Sequence, residues 1–126
     1  EFRYCYAGHP PPVHVDANGP LRHLTEGGTI IGMGGVIPFE EATITLNAGE
    51  KILFYTDGIL EFTGPDNESF GEERFHDEIS RCRQQPISAI LDELLSTLRA
   101  FGGTIPLQDD VTLLGLEFKG QREVHP

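Results

Sequence analysis

The sequence is poor in several residue types: it has no tryptophan, one methionine, two cysteines and nine basic residues among 126. It also has no apolar stretch long enough to span a bilayer, which excludes a membrane-spanning helix within these residues. The 20 acidic residues outnumber the nine basic ones, so the formal charge is −11 and the chain repels polyanions. We therefore expect no nucleic-acid partner and no membrane contact.

The two cysteines, Cys5 and Cys82, lie far apart in the sequence. They indicate neither a disulfide framework nor a cysteine-based zinc site. Free thiols are typical of cytosolic proteins, so we expect a cytoplasmic location. Residues 1–4 already have the pattern of a strand, and we therefore expect no signal peptide and a chain that begins inside a domain.

The order of the predicted elements indicates the fold class. A chain of this length has the size of one domain with one hydrophobic core. Several short strands come first, two helices follow, and a last strand closes the series, which favours an α+β fold with a mostly antiparallel sheet. The continuously apolar run 52–55 is predicted to be a central strand that is buried on both faces.

Individual segments give further predictions. Helices are expected over residues 72–81 and from Pro86 to a glycine stop at Gly102-Gly103, because apolar residues recur there at helical spacing. Residues 59–63 are expected to continue as a strand after the Asp57 turn. The final strand is expected over 111–118, with 119–126 as a tail, and residues 27–35 as a glycine-rich loop.

Two aspartate-bearing turns are the strongest candidates for a functional site. Asp57 follows the apolar run directly, and Asp109 and Asp110 come just before the final strand. Carboxylates held at strand ends by glycine-permitted turns are typical ligands of Mg²⁺ and Mn²⁺. Although they are far apart in sequence, the two turns are predicted to share one metal site, and an ordinary structural turn or a solvated acidic pair is the alternative for each.

Neighbouring residues refine this hypothesis. Thr56 is expected to orient the Asp57 carboxylate, and Thr112 is expected to cap or orient Asp109. A phosphoaspartyl phosphatase needs a second aspartate two residues after its nucleophile, whereas Gly58 and Ile59 follow Asp57. This spacing favours a metal-ligand role for Asp57 over a role as covalent nucleophile.

The histidines give no metal-binding pattern in the sequence. His9 lies in a tight Gly-His-Pro corner and is interpreted as a structural residue bonded to backbone. The other four have no ligand spacing and are interpreted as surface residues: His14, His23, His76 and His125.

Four segments in this order resemble one family: Ala7-Gly8-His9-Pro10-Pro11, Tyr55-Thr56-Asp57-Gly58, Phe70-Gly71-Glu72-Glu73-Arg74 and Asp109-Asp110-Val111-Thr112. They resemble the C-terminal part of bacterial sporulation stage II E-type serine/threonine phosphatases, which are metal-dependent phosphatases of the two-C type. The resemblance covers about residues 4–118. It implies a β-sandwich of antiparallel sheets flanked by helices, of which this chain would lack the N-terminal half.

The resemblance also implies a chemistry. Members of this family use two Mn²⁺ or Mg²⁺ ions to activate a water that attacks phosphorus in line. Asp57 and Asp109 would be metal ligands, and Asp110 stands where relatives carry a second Asp or an Asn. Gly8, His9 and Gly58 would be structural parts of the motifs, and no further catalytic residue is assigned.

The chain departs from the family pattern in two places. Tyr6 stands where relatives usually have Asn, and the family's first motif, whose Asp bridges both metals, is absent from these residues. We therefore expect weak cation binding and little phosphatase activity from this chain alone. Uncovered sheet edges or apolar faces would also favour self-association.

The function implied by the resemblance is dephosphorylation of phosphoserine or phosphothreonine on a regulatory protein, of the kind that antagonises anti-sigma factors. The alternative is a catalytically inactive phosphatase-like module that binds a signalling protein. A third interpretation, a purely structural α+β domain, would make the combined motifs a coincidence.

Overall fold

The computed structural model describes residues 1–28, 31–32 and 39–120. Residues 121–126 of the predicted tail and most of the predicted glycine-rich loop lie outside these residues. Eight strands and three helices occur within the described ranges: β1 Phe2–Tyr4, β2 Tyr6–Ala7, β3 Val13–Val15, β4 Arg22–His23, β5 Gly27–Gly28, β6 Ala42–Ile44, β7 Lys51–Tyr55, α1 Asp57–Leu60, α2 Gly71–Cys82, α3 Ile87–Gly102 and β8 Leu113–Glu117.

The main sheet has four antiparallel strands in the order β4-β3-β7-β8. β7 is its central strand, because Leu53 pairs with Val13 on one side and with Gly115 on the other. Two smaller ladders complete the architecture, an antiparallel one between β1 and β6 and a parallel one between β2 and β5. The predicted α+β class with a mostly antiparallel sheet is confirmed.

One face of the main sheet carries the hydrophobic core. Strand side chains alternate between faces, and Leu53 and Tyr55 both point toward the helices. The Tyr55 ring packs against Phe75 of α2 with ring centroids 4.7 Å apart. From α3, a stripe at helical spacing is buried in the same core: Ile90, Leu94 and Leu98. Both helices lie where the apolar periodicity predicted them, and α3 ends at the predicted glycines.

The opposite face of the sheet is only partly covered. The register pairs Ile52 with Leu116 and Phe54 with Leu114, so these four side chains share that face. Ile52 is fully buried, but Leu114 and Leu116 are 56% and 45% exposed. β1 and β2 residues line hollows against this face without closing it. The side chains of Leu114 and Leu116 on β8 therefore remain about half open to solvent.

One predicted strand differs from the structure. Residues 59–63 do not continue as a strand, because α1 follows Asp57 and only an isolated bridge joins Thr63 to Ser69. Ile59 and Phe62 are both buried, and their spacing of three residues fits a helical turn better than strand alternation. The strand pattern of residues 1–4 corresponds to β1, and Cys5 separates β1 from the short strand β2.

None of the helices among the described residues combines the length and apolar composition that crossing a bilayer requires.

An ion-pair network joins the two long helices. Arg81 of α2 donates hydrogen bonds to Glu78, one turn earlier, and to Glu93 of α3 at 2.9 Å. Glu78 is buried, with 8% of its surface exposed. The hydrogen bonds from Arg81 hold the pKa of Glu78 below its ordinary value of 4.5, against the opposing effect of burial.

We expect Arg81→Gln to lower the free energy of unfolding at neutral pH. Because the folded pKa of Glu78 is lowered, its contribution is present above pH 4.5 and is lost as the pH falls through the folded value. The difference in urea midpoint between wild type and variant should therefore shrink in acid. Arg99→Gln, at an exposed position of α3, is the control and should show no such pH dependence. A difference that stays constant with pH would contradict this assignment.

Candidate functional site

The two aspartate turns meet at one end of the main sheet. β7 and β8 are antiparallel neighbours, and Tyr55 at the end of β7 pairs with Leu113 at the start of β8. The turn that follows one strand therefore lies beside the turn that precedes the other. This pairing brings Asp57 and the Asp109-Asp110 pair to the same end of the main sheet.

Thr56 holds the two turns together. Its backbone N–H donates to the carbonyl of Thr112 at 3.2 Å. Its hydroxyl accepts a hydrogen bond from the N–H of Thr112 at 3.0 Å and donates to the carbonyl of Asp110 at 3.3 Å. Among the described residues, no hydrogen bond joins either threonine hydroxyl to the carboxylate of Asp57 or Asp109. The Thr56 hydroxyl joins the backbones of the two turns instead.

Gly58 allows the two turns to come this close. The residue is buried, and a Cβ built on it would overlap the carbonyl oxygen of Asp110. The side chain of Val111 lies beside the same point, 3.5 Å from such a Cβ. The position therefore requires glycine, because there is no room for a side chain.

The three carboxylates lie at the surface. Asp57, Asp109 and Asp110 are all exposed. The N–H of Asp110 donates to Oδ1 of Asp109 at 2.8 Å, which orders that carboxylate within its own turn. Within the described residues, no hydrogen bond or ion pair reaches the carboxylates of Asp57 and Asp110, so their oxygens are available to other ligands.

The donor set fits a hard divalent cation. Carboxylate and carbonyl oxygens are the ligands that Mg²⁺ and Mn²⁺ prefer. The three aspartates do not, however, close into one compact cluster. Across the part of the chain that the structure describes, one group of three side chains has its potential ligand atoms all within 4.8 Å of one another. It consists of His23, Glu72 and His76, and not of the aspartates. The aspartate turns therefore present an open, partial oxygen site.

An apolar hollow of about 410 Å³ adjoins the turns. Thr56 and Thr112 contribute to its lining, together with Phe54, Leu114 and His9. His9 Nδ1 donates to the carbonyl of Pro10 at 3.0 Å, and Gly8 before it has a φ of 83°, which glycine adopts readily. His9 is thus bonded to its neighbouring backbone, and its corner lies beside the aspartate turns.

Tyr55 lies behind the Asp57 turn and stays protonated. Burial raises its pKa to about 12, and the carboxylates of Glu72 and Asp57 add to the shift. A phenol with such a pKa is neutral near pH 7. Tyr55 therefore supplies packing to the site and no negative charge.

The interpretation of the histidines as surface residues is wrong for His14, whereas His23 and His76 are partly exposed. His14 is buried and its Nε2 lies 3.3 Å from Glu50 Oε2. His23 and His76 are partly buried and touch each other, with their Nε2 atoms 2.8 Å apart. Only the four-residue spacing of Glu72 and His76 on a predicted helix was a signal in the sequence, whereas His23 lies 53 residues before His76. His125 lies outside the described residues.

Comparison with known proteins relates these features to a family. The profile of the family described as Stage II sporulation protein E (SpoIIE) matches residues 1–119. Among curated proteins, the chain is similar to Protein IcfG of Synechocystis sp., with 26% identity over 116 residues. That match covers 90% of this chain and 18% of IcfG.

Solved structures give the same result for the fold. The chain is similar to the SiaA-PP2C domain of Pseudomonas aeruginosa, with a TM-score of 0.76, 24% identity, and coverage of 92% of this chain and 46% of that one. It is similar to the RsbU and RsbW domains of Rv1364c from Mycobacterium tuberculosis (TM-score 0.73, 33% identity, 95% and 33% coverage). It is also similar to the Mn-presoaked phosphatase domain of SpoIIE from Bacillus subtilis (TM-score 0.67, 15% identity, 98% and 53% coverage).

The chain thus spans about half or less of each of these structures, and a smaller share of IcfG. The family profile, in contrast, extends over nearly all of the chain. The chain belongs to the SpoIIE family and has the fold of part of a PP2C-type phosphatase domain.

Proposed function

We propose that this chain is the C-terminal portion of a Mn²⁺- or Mg²⁺-dependent serine/threonine protein phosphatase domain in the cytoplasm, with residues 1–118 as the domain portion and 119–126 as a tail. Asp57, Asp109 and Asp110 are its metal ligands. The observation that carries this proposal is the direct contact between the two aspartate turns, made through Thr56 and Gly58.

The chain's own residues explain why these carboxylates are suitable ligands. They are exposed at one sheet edge, and the central strand pair holds the backbones that carry them. When bound, a pair of such cations lowers the pKa of a shared water and stabilises the extra negative charge on the transferring phosphoryl group. The B. subtilis relative that was presoaked with Mn supports Mn²⁺ as one candidate.

The proposed site is complete only with residues from elsewhere. The three aspartate carboxylates are exposed, and their oxygens do not all lie within 4.8 Å of one another. They alone would therefore leave coordination positions of a cation unfilled. We infer that an aspartate from the upstream part of the same domain would supply a further metal ligand. The open sheet face around Leu114 and Leu116 is the surface on which that upstream portion packs.

The proposed substrate is phosphoserine or phosphothreonine on a regulatory protein of the anti-sigma antagonist type. The family resemblance supports this class, and one similar structure combines an RsbU domain with an RsbW domain in Rv1364c. The acidic surface of this chain, with a formal charge of −11, disfavours polyanionic partners such as nucleic acid. A catalytically inactive module that binds a signalling protein is the second candidate, and the open geometry of the three carboxylates favours it.

Mn²⁺-dependent phosphate release from a phosphoserine protein tests the proposal, using this chain extended upstream to the whole phosphatase domain. We expect Asp57→Asn and Asp109→Asn each to lower activity by at least about 100-fold, because loss of a direct ligand exceeds the 10–100-fold cost of losing an outer partner. Asp92→Asn, an exposed aspartate on α3, is the matched control and should remain active. A folded domain with no Mn²⁺-dependent release would favour the inactive binding module.

Gly58→Ala tests the contact between the turns. The added Cβ overlaps the Asp110 carbonyl, so we expect the variant to lose about 1–3 kcal/mol of unfolding free energy. It should also require more Mn²⁺ for half-maximal activity, because the Asp109-Asp110 turn must move away from Asp57. Urea unfolding and Mn²⁺ titration of the extended domain measure the two effects, with Ser96→Ala on the exposed face of α3 as the control. Unchanged stability and unchanged Mn²⁺ dependence would show that the contact is unimportant.

Self-association of the 126-residue chain tests the open sheet face. We expect the isolated chain to form dimers or larger species, and Leu116→Lys to weaken their association by at least about tenfold, since this leucine is at the centre of the exposed face. Leu107→Lys is a matched control, because Leu107 is similarly exposed, at 47%, but lies in the loop before β8. Sedimentation velocity over a range of protein concentrations measures the association of each variant. A wild-type chain that is monomeric throughout would contradict the expectation.

A further inference from the structure

A second cluster of ligand atoms lies where β4 meets α2. His23 is the last residue of β4, and Glu72 and His76 lie in the first half of α2. The Nε2 atoms of the two histidines are 2.8 Å apart, and Glu72 Oε1 lies 3.2 Å from His23 Nε2 and 3.8 Å from His76 Nε2. Among the described residues, these three side chains form the one group of three whose potential ligand atoms all lie within 4.8 Å of one another.

The local structure explains how the three residues come together. Glu72 and His76 are four residues apart on one helix, so they project from the same side of α2. His23 is placed opposite them by its pairing with Val13, which anchors the short edge strand to the main sheet. Two of the ligands are therefore preorganised by a helix, and the third is held by a strand.

The distances suit a tetrahedral cation. Zinc binds histidine nitrogen and carboxylate oxygen at about 2.0–2.2 Å, so tetrahedral geometry separates neighbouring ligand atoms by about 3.3 Å. The three observed separations, 2.8, 3.2 and 3.8 Å, lie on both sides of that value.

We propose that His23, Glu72 and His76 form a zinc-binding site that joins strand β4 to helix α2. Two imidazole nitrogens and one carboxylate are borderline donors that favour Zn²⁺ and Co²⁺ over Mn²⁺ and Mg²⁺. Water takes the fourth position, and the side chains are 23–61% exposed, so the ion enters directly from solvent. The aspartate turns, with oxygen donors alone, have the opposite preference.

The surroundings of His23 set the expected affinity. Binding through Nε2 puts the remaining proton on Nδ1, which is buried and has no hydrogen-bond partner among the described residues. Outer hydrogen bonds to ligating histidines contribute about 10–100-fold to metal affinity. We therefore expect a dissociation constant for Zn²⁺ in the micromolar range.

Co²⁺ absorption and Zn²⁺ competition on the 126-residue chain test the proposal. We expect the intense visible bands of four-coordinate Co²⁺, their loss on addition of Zn²⁺, and their persistence in excess Mn²⁺. His76→Gln should weaken Co²⁺ and Zn²⁺ binding by at least about 100-fold, and Glu72→Gln by about tenfold. Zinc should also raise the melting temperature of wild type by several degrees and leave that of His76→Gln unchanged.

Control variants locate the ion. His9→Gln removes an exposed histidine outside the cluster, and Asp57→Asn changes the aspartate site, so both should keep wild-type zinc affinity. Glu72 is exposed, so Glu72→Gln keeps the test decisive if the histidine variant fails to fold. Zinc binding that disappears in Asp57→Asn, or that survives unchanged in both cluster variants, would overturn the proposal. So would the absence of zinc binding at micromolar concentrations.

Discussion

The pairing of β7 with β8 is the constraint on which the rest of the structure depends. Five consecutive residue pairs join the two strands, from Lys51 with Glu117 to Tyr55 with Leu113. This register sends one set of side chains into the helix-facing core and the other set to the open face. A slip of one residue would exchange the two faces and would also separate the Asp57 turn from Asp110. Core packing and the proposed phosphatase site therefore rest on the same ladder.

The two faces of the main sheet have different roles. The face toward α2 and α3 is closed by aromatic and aliphatic side chains and provides the chain with a core of its own. The other face leaves Leu114 and Leu116 exposed although the small ladders lie against it. This asymmetry agrees with a chain that spans about half or less of the similar solved structures. The closed face supplies most of the buried core of the chain. Completion of the proposed phosphatase site depends instead on the upstream portion that packs on the open face.

The chain presents two sets of metal ligands with different chemistry. The aspartate turns offer hard oxygen donors at an exposed edge, whereas the His23, Glu72 and His76 cluster offers two nitrogens and one oxygen at a helix–strand junction. The first set was predictable because an aspartate beside a strongly apolar strand is visible in a linear sequence. The second was not, since His23 becomes a neighbour of Glu72 and His76 only when β4 folds against α2.

By itself, the sequence determined the elements whose periodicity is strong: the central strand, the two long helices and the glycine stop after α3. It also determined the identity of the aspartates and, through the order of four motifs, the family. Tertiary structure decided the helical turn at Ile59, the bridging hydrogen bonds of Thr56 and the histidine cluster. The hydrogen bonds of Thr56 and the histidine cluster join residues more than 50 positions apart, and the turn at Ile59 packs near α2, which begins 12 residues later. Local propensity carries no information about such distant partners, so only the folded chain could reveal them.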